Sequence, residues 1–224
     1  MEKNNTYFTV TGILFVAALL VSNIAAQKLI PIGPFVFTGG ILLFPITFVF
    51  GDILTEVWSY KKTRLIVWSG FIASFFMSLF LYLIVQLPSA PGWNFQHEFE
   101  TTFSLVPRIF VASLIAYLCG EFLNSYILSK LKLKYKEKKM GLRFVLSTII
   151  GEGADTIIFA SIALYGIIPN NLLITTIWSG FVFKVCYEII ILPVSIPFTK
   201  WLKQKTGSDL YDTNTNYNPF RLNS

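Results

Sequence analysis

The sequence predicts an all-α integral membrane protein of six transmembrane helices, and three observations carry that prediction. Five stretches are long and apolar enough to cross a bilayer, and a sixth qualifies if polar interruptions are allowed. A hydrocarbon layer about 30 Å thick needs about 20 apolar residues per helix. Only 13% of the 224 residues are charged while 54% are hydrophobic, and the mean hydropathy is +0.63. A water-exposed globule would carry nearer a quarter charged residues. Third, Pro31, Gly33 and Pro34, then Pro88, Pro91 and Gly92, and then Pro169 punctuate the apolar runs.

The first span, residues 8–27, follows Lys3 and could be mistaken for a cleaved signal peptide. Its length, Asn23 within it and the spans that follow favour a retained helix. Pro31, Gly33 and Pro34 precede the second span, 35–58, and the third covers 65–86. Pro88, Pro91 and Gly92 then open a loop in which Trp93, Phe95, Phe99 and Phe103 alternate with polar residues, a pattern suited to a segment lying in the interface. The last three spans are 106–129, 144–168 and 172–198, with Pro169 between the final two. Residues 1–203 thus form one transmembrane domain, and 204–224 a polar cytoplasmic tail without fixed structure. Trp58, Trp68, Trp93 and Trp201 read as interfacial belt aromatics, and Cys119 and Cys186, each alone in an apolar run, as packing residues.

Orientation follows from the basic residues. With the amino terminus in the cytoplasm, only Lys28, Arg108 and Lys184 of the 18 Lys and Arg fall outside cytoplasmic segments. Both termini are therefore expected inside, in a multi-pass N-in/C-in protein of the inner or plasma membrane. The Lys130–Lys139 run reads as a topogenic loop facing anionic lipid, not as a nucleic-acid arm. Trp68-Ser69-Gly70-Phe71 recurs as Trp178-Ser179-Gly180-Phe181, and Phe15-Val16-Ala17 as Phe110-Val111-Ala112. Each echo pairs a span with the one three later, which fits a 3+3 inverted repeat, though matches this short also arise by chance.

The spans carry six carboxylates against one lysine: Asp52 and Glu56, Glu121, Glu152 and Asp155, and Glu188 with Lys184. Charge inside a bilayer persists only with partners, water access, protonation or a ligand. Plainer readings exist for several. Lys184 and Glu188 can neutralise one another as an i,i+4 pair. Glu56 can pair with Lys61 or Arg64 at the interface. Gly151 and Gly153 can serve close helix packing. Asp155 and Glu121, without basic neighbours on their own helices, are the strongest functional candidates. The single histidine, His97, lies in a loop, no His/Cys/carboxylate cluster suits a metal, and Ser113 or Ser161 would lack a histidine base. Neither an enzyme nor a cofactor is expected, although an aspartyl dyad including Asp155 is a formal alternative.

The block from Gly51 through Asp52, Thr55 and Glu56 to Trp58, followed by Arg64, resembles the queuosine precursor transporter family, in the vitamin uptake transporter group. Weaker matches occur in the family's order: Asn23 with Lys28; Pro107-Arg108-Ile109, Tyr117, Gly120 and Asn124; Asp155-Thr156 with Phe159; and Lys184-Val185, Tyr187-Glu188 and Pro193. The likeness covers about Ser22 to Lys203. Members often carry a tyrosine and a glycine where this chain has Trp58 and Ser59, a departure that puts little in doubt.

The resemblance implies an inner-membrane importer, expected to be a secondary transporter, of 7-cyano- or 7-aminomethyl-7-deazaguanine. A deazaguanine offers N1–H beside an exocyclic amine, a donor pair that one carboxylate accepts in bidentate fashion. Asp155 or Glu188 would take that edge and Glu121 a second polar contact, with Asn23 and Asn124 also in the substrate site. Tyr117, Phe159, Trp178 or Tyr187 would stack on the ring, and Lys184 would keep Glu188 ionised. Asp52, Glu56, Arg64 and Glu152 are assigned to gating and coupling. The rival reading is a substrate-capture subunit of an energy-coupling-factor transporter, partnered by a separate ATP-driven module, since the chain has no Walker-type loop of its own. Monomer and homodimer are both open.

Overall fold

The computed structural model describes residues 2–25, 28–32, 35–103, 107–136, 138–163, 165–166, 169–213 and 215–221. Six α-helices follow in chain order: α1 (Glu2–Ala25), α2 (Phe44–Val85), α3 (Gln96–Phe103), α4 (Pro107–Tyr135), α5 (Met140–Ala163) and α6 (Asn170–Thr206). Between α1 and α2, strands β1 (Leu29–Ile32) and β2 (Phe35–Thr38) form an antiparallel hairpin pairing Leu29 with Thr38 and Ile32 with Phe35. Residues 35–38, expected at the start of the second span, thus belong to this hairpin, and the helix begins at Phe44 with Pro45 in its first turn. The ends expected at 27, 106 and 168 lie outside the described residues.

Among the described residues, five helices are long and apolar enough to cross a membrane, with α2 counted once. Their surface is inverted relative to a water-soluble protein. Asp52, Glu56, Glu121 and Glu152 are fully buried, whereas Ile190 is 76% exposed and Trp178 and Ile174 are 66% exposed. Apolar side chains facing outward and carboxylates facing inward suit a lipid surround. The short α3 buries none of its side chains.

Two of the sequence-expected spans form the single element α2, interrupted at Ser59, whose φ of 76° and ψ of 161° are not helical. The chain folds back there. Thr55 Oγ1 donates to Thr63 Oγ1 at 3.2 Å although the two are eight residues apart, which in a straight helix would separate them by about 12 Å. Gly51 lies against Glu121 and Gly70 against Tyr117, one turn apart on α4, although a straight α2 would hold those glycines about 28 Å apart. The φ and ψ of Ser59 fall in a region that is almost exclusively glycine's, at a cost of about 1–3 kcal/mol for a residue with a Cβ. The Ser59 departure from the family pattern therefore has a physical consequence that the sequence reading passed over.

The bend puts the first arm of α2 (44–58) against α4 and the second arm (60–85) against α1. Phe15 and Leu19 of α1 approach Gly70, and Ile66 approaches Gly12. Phe15, Leu19, Val49, Ile53, Leu54, Val57, Trp58, Val67, Tyr117 and Leu202 form the main buried cluster. A smaller one joins Leu128 of α4 to Met140 and Phe144 of α5. Helices α4 and α5 cross at backbone contact: a Cβ on Gly120 would lie 2.9 Å from the Gly151 carbonyl, and one on Gly151 2.8 Å from the Gly120 carbonyl. Gly151 thus serves close packing, as its plainer reading held, while Gly153 faces the Phe181 ring.

The tail is not loose. Past Gly207, which caps α6 in the left-handed conformation, it crosses the α2 bend and takes up the backbone groups the bend releases. Leu210 N–H and Ser208 Oγ donate to the Val57 carbonyl, at 3.2 and 3.3 Å. Asp212 Oδ2 accepts from Tyr60 N–H at 2.8 Å and from Ser129 Oγ at 2.6 Å. Polar composition suggested disorder, but the polar groups of the tail are what complete the bend.

Candidate functional site

The buried polar residues fall into two groups. The first gathers where the first arm of α2 meets α4, α5 and α6. Asp52 Oδ1 accepts from Asn124 Nδ2 at 2.7 Å and from Ser147 Oγ at 3.4 Å, while no donor among the described residues reaches Oδ2. Glu121 stands beside Gly51 so closely that a Cβ there would lie 1.9 Å from Oε1, and neither of its oxygens has a hydrogen-bond partner among the described residues. Only glycine leaves room for that carboxyl. Glu188, 1% exposed, likewise has two oxygens without a partner among the described residues.

Lys184 joins α6 to α5 in this group. Its Nζ lies 2.6 Å from Asp155 Oδ2 and 2.7 Å from Glu152 Oε2, with the Phe44 ring centroid 4.7 Å away. The ammonium thus sits in a box of two carboxylates and an aromatic face, a full set of partners for a buried cation. The expected i,i+4 pair with Glu188 is not formed, because two carboxylates on the neighbouring helix hold the ammonium instead. Glu152, assigned to gating, belongs by position with Asp155 and Lys184.

The second group lies around the α2 bend. Arg143 Nη2 reaches Glu56 Oε1 at 2.5 Å with both side chains fully buried, and Lys203 Nζ reaches the same oxygen at 2.7 Å. Lys132 donates to the Glu56 carbonyl and pairs with Asp209 at 2.7 Å, which Lys203 also reaches at 2.8 Å. Arg64 Nη1 donates to the carbonyls of Asn216 and Asn218 at 2.9 and 2.6 Å, and Trp68 Nε1 to that of Pro219 at 2.8 Å. Glu56 therefore draws its cations from α5 and α6 rather than from Lys61 or Arg64. The gating set of Asp52, Glu56, Arg64 and Glu152 is divided between the two groups.

Other candidates take structural positions. Tyr117 is in the main cluster and donates its hydroxyl to the Val67 carbonyl at 3.2 Å. Asn23 reaches Ser74 Oγ at 3.4 Å, tying α1 to the second arm of α2. Trp178 points outward, and Tyr187 and Phe159 are half-buried. An open cleft of about 600 Å³ between the end of α2 and α3, lined by Val85, Leu87, Pro88, Gln96 and Glu100, is remote from both groups. The sequence reading missed Phe44, Arg143, Lys132, Lys203, Asp209 and Asp212. Two acids in an otherwise basic stretch after residue 198 were the available sign of the last four.

Residues 38–198 match the family described as "Putative vitamin uptake transporter". The protein named "Probable queuosine precursor transporter" of Bacillus subtilis (strain 168) is 24% identical over 186 residues, 83% of this chain and 81% of that protein. The "Queuosine precursor transporter" of Escherichia coli (strain K12) is 26% identical over 144 residues, 64% of this chain and 62% of that protein. No solved structure matches. The matched region takes in α2, α4, α5 and most of α6, with every carboxylate of the interior group, and the chain belongs to the vitamin uptake transporter family, as a multi-pass membrane protein.

Proposed function

We propose that this protein imports 7-cyano- or 7-aminomethyl-7-deazaguanine across the cytoplasmic membrane as a self-sufficient secondary transporter. The observation that carries the reading is the interior group: Asp52, Glu121 and Glu188 are buried with carboxylate oxygens that no donor among the described residues reaches. Such oxygens suit a ligand that arrives with N–H groups, and a deazaguanine edge presents two side by side. Asp155 or Glu188 takes that edge, with Glu121 as a second contact. Burial makes unsatisfied acceptors costly, by about 1–3 kcal/mol each, so a donor-rich ligand is favoured over an apolar one.

The topology we infer has six spans, with the two arms of α2 counted separately and both termini in the cytoplasm. The hydrogen bond between Thr55 and Thr63 and the basic residues near the bend and the α4–α5 turn support it. A 3+3 repeat would pair α1 and the two arms of α2 with the last three long helices.

The test is uptake of radiolabelled 7-aminomethyl-7-deazaguanine by the chain reconstituted alone in liposomes, with and without an inward proton gradient. Uptake that rises with the gradient is the expected result. Binding without uptake would favour a capture subunit awaiting an ATP-driven module, and absence of both would remove the substrate assignment.

A further inference from the structure

The box around Lys184 has the chemistry of a ligand site already filled by the chain itself. A primary ammonium lies between Glu152 and Asp155, at 2.7 and 2.6 Å, above the Phe44 ring. Nothing in that arrangement is particular to a tethered ammonium. A free alkylammonium would make the same two charge-assisted contacts and the same cation–π contact.

A second observation gives the displaced lysine a destination. Glu188 stands one helical turn from Lys184 on α6, 1% exposed, with both carboxylate oxygens unpartnered. Residues four apart on a helix share a face and pair readily, and four single bonds let the ammonium swing between neighbours. Leaving Glu152 and Asp155 without a cation would be prohibitive in a buried site. Exchange avoids that cost, because the incoming cation neutralises the α5 carboxylates as the lysine moves to Glu188.

We propose that Glu152, Asp155 and Phe44 form an ammonium-binding subsite occupied at rest by Lys184, and that a substrate carrying a primary alkylammonium arm enters by displacing Lys184 onto Glu188. The inference rests on the transport reading above and adds the discrimination between the two precursors. The aminomethyl form competes with Lys184 for the box, and with Asp155 and Glu188 then engaged its guanine edge falls to Glu121, whereas the cyano form has no cation and leaves the lysine where it is. The loaded site then pairs α6 with itself, and the two ion pairs that join α6 to α5 at rest are given up.

The experiment is calorimetric titration of the full chain in lipid nanodiscs with 7-aminomethyl- and 7-cyano-7-deazaguanine, comparing the parent with Lys184→Met and Glu188→Gln. The readout is the ratio of the two affinities. Lys184→Met removes the internal competitor and should move the ratio toward the aminomethyl form by about tenfold, one ion pair's worth of competition. Glu188→Gln removes the destination, keeps the resting pairs and should move it the other way. A ratio that either variant leaves unmoved overturns the exchange, as does a shift in the opposite direction. If Lys184→Met does not fold, Glu188→Gln decides alone. Failure of the parent to bind either ligand strikes the transport reading and this one together, whereas binding with an unmoved ratio strikes the exchange only.

Discussion

The two charged regions of this protein are built from similar residues and differ in how many cations serve their carboxylates. Around the α2 bend, Glu56 meets Arg143 and Lys203, Asp209 meets Lys132 and Lys203, and Asp212 meets Tyr60 and Ser129. In the interior, one lysine serves Glu152 and Asp155, while Asp52, Glu121 and Glu188 keep oxygens without donors. A cation-rich network has little to offer a ligand and much to lose by moving. A cation-poor one is destabilised at rest and gains most when donors arrive. The comparison separates residues that hold the fold from residues available to a substrate, which a count of intramembrane charges does not.

The largest effect that could break the comparison belongs to the cation-rich side. Arg143→Met leaves a fully buried Glu56 with Lys203 alone, and removal of one partner of a buried pair costs about 3–5 kcal/mol. Thermal unfolding in detergent should show a strongly lowered transition or no folded protein. On the cation-poor side, Glu121→Gln should leave the transition nearly unchanged and lower uptake by at least tenfold, about 1.4 kcal/mol. If the two variants exchanged phenotypes, the division would be wrong.

Smaller effects sharpen it. Asp212→Ala strips the acceptor from Tyr60 N–H and Ser129 Oγ and should cost about 1–3 kcal/mol, read in the same unfolding assay. Ser59→Gly goes the other way. Glycine meets the φ of 76° without strain, and a gain of about 1 kcal/mol is expected, unless the bond from Thr63 Oγ1 to the Ser59 carbonyl shifts as well. The smallest effect is on pH. Burial alone would raise the Asp209 carboxyl, but hydrogen bonds and charge from Lys132 and Lys203 outweigh it and hold the group below its ordinary range. A depressed carboxylate stabilises the fold above its ordinary range and loses that contribution as pH falls through the depressed one. Proteolysis of residues 207–221 should therefore speed up only in strongly acidic buffer, and Asp209→Asn should abolish that dependence.

Much of this was legible in the sequence, in proportion to how local the signal was. Apolar runs set the long helices because each needs only its own residues to show a length. The six intramembrane carboxylates were named from the same runs. Their partners were not, because Lys184 lies one turn from Glu188 in sequence yet binds two carboxylates on α5. Arg143 counted in the sequence only as one more basic residue of a cytoplasmic segment and is the buried partner of Glu56. The tail escaped because many of its bonds use main-chain carbonyls, those of Asn216, Asn218 and Pro219, which no side-chain pattern reveals. Ser59 was visible as a departure from the family pattern, but its weight came only with a backbone angle.

The tail has a consequence for biogenesis. Residues 208–212 leave the ribosome after every element they bind, so Val57 and Tyr60 wait through the whole of synthesis for their partners. Until then the two arms of α2 form a hinge whose inner hydrogen-bonding groups lack these partners. Folding of the arms and closure of the hinge are therefore separate events in time, and a nascent chain stalled before Asp212 would hold its helices with this joint still unsealed.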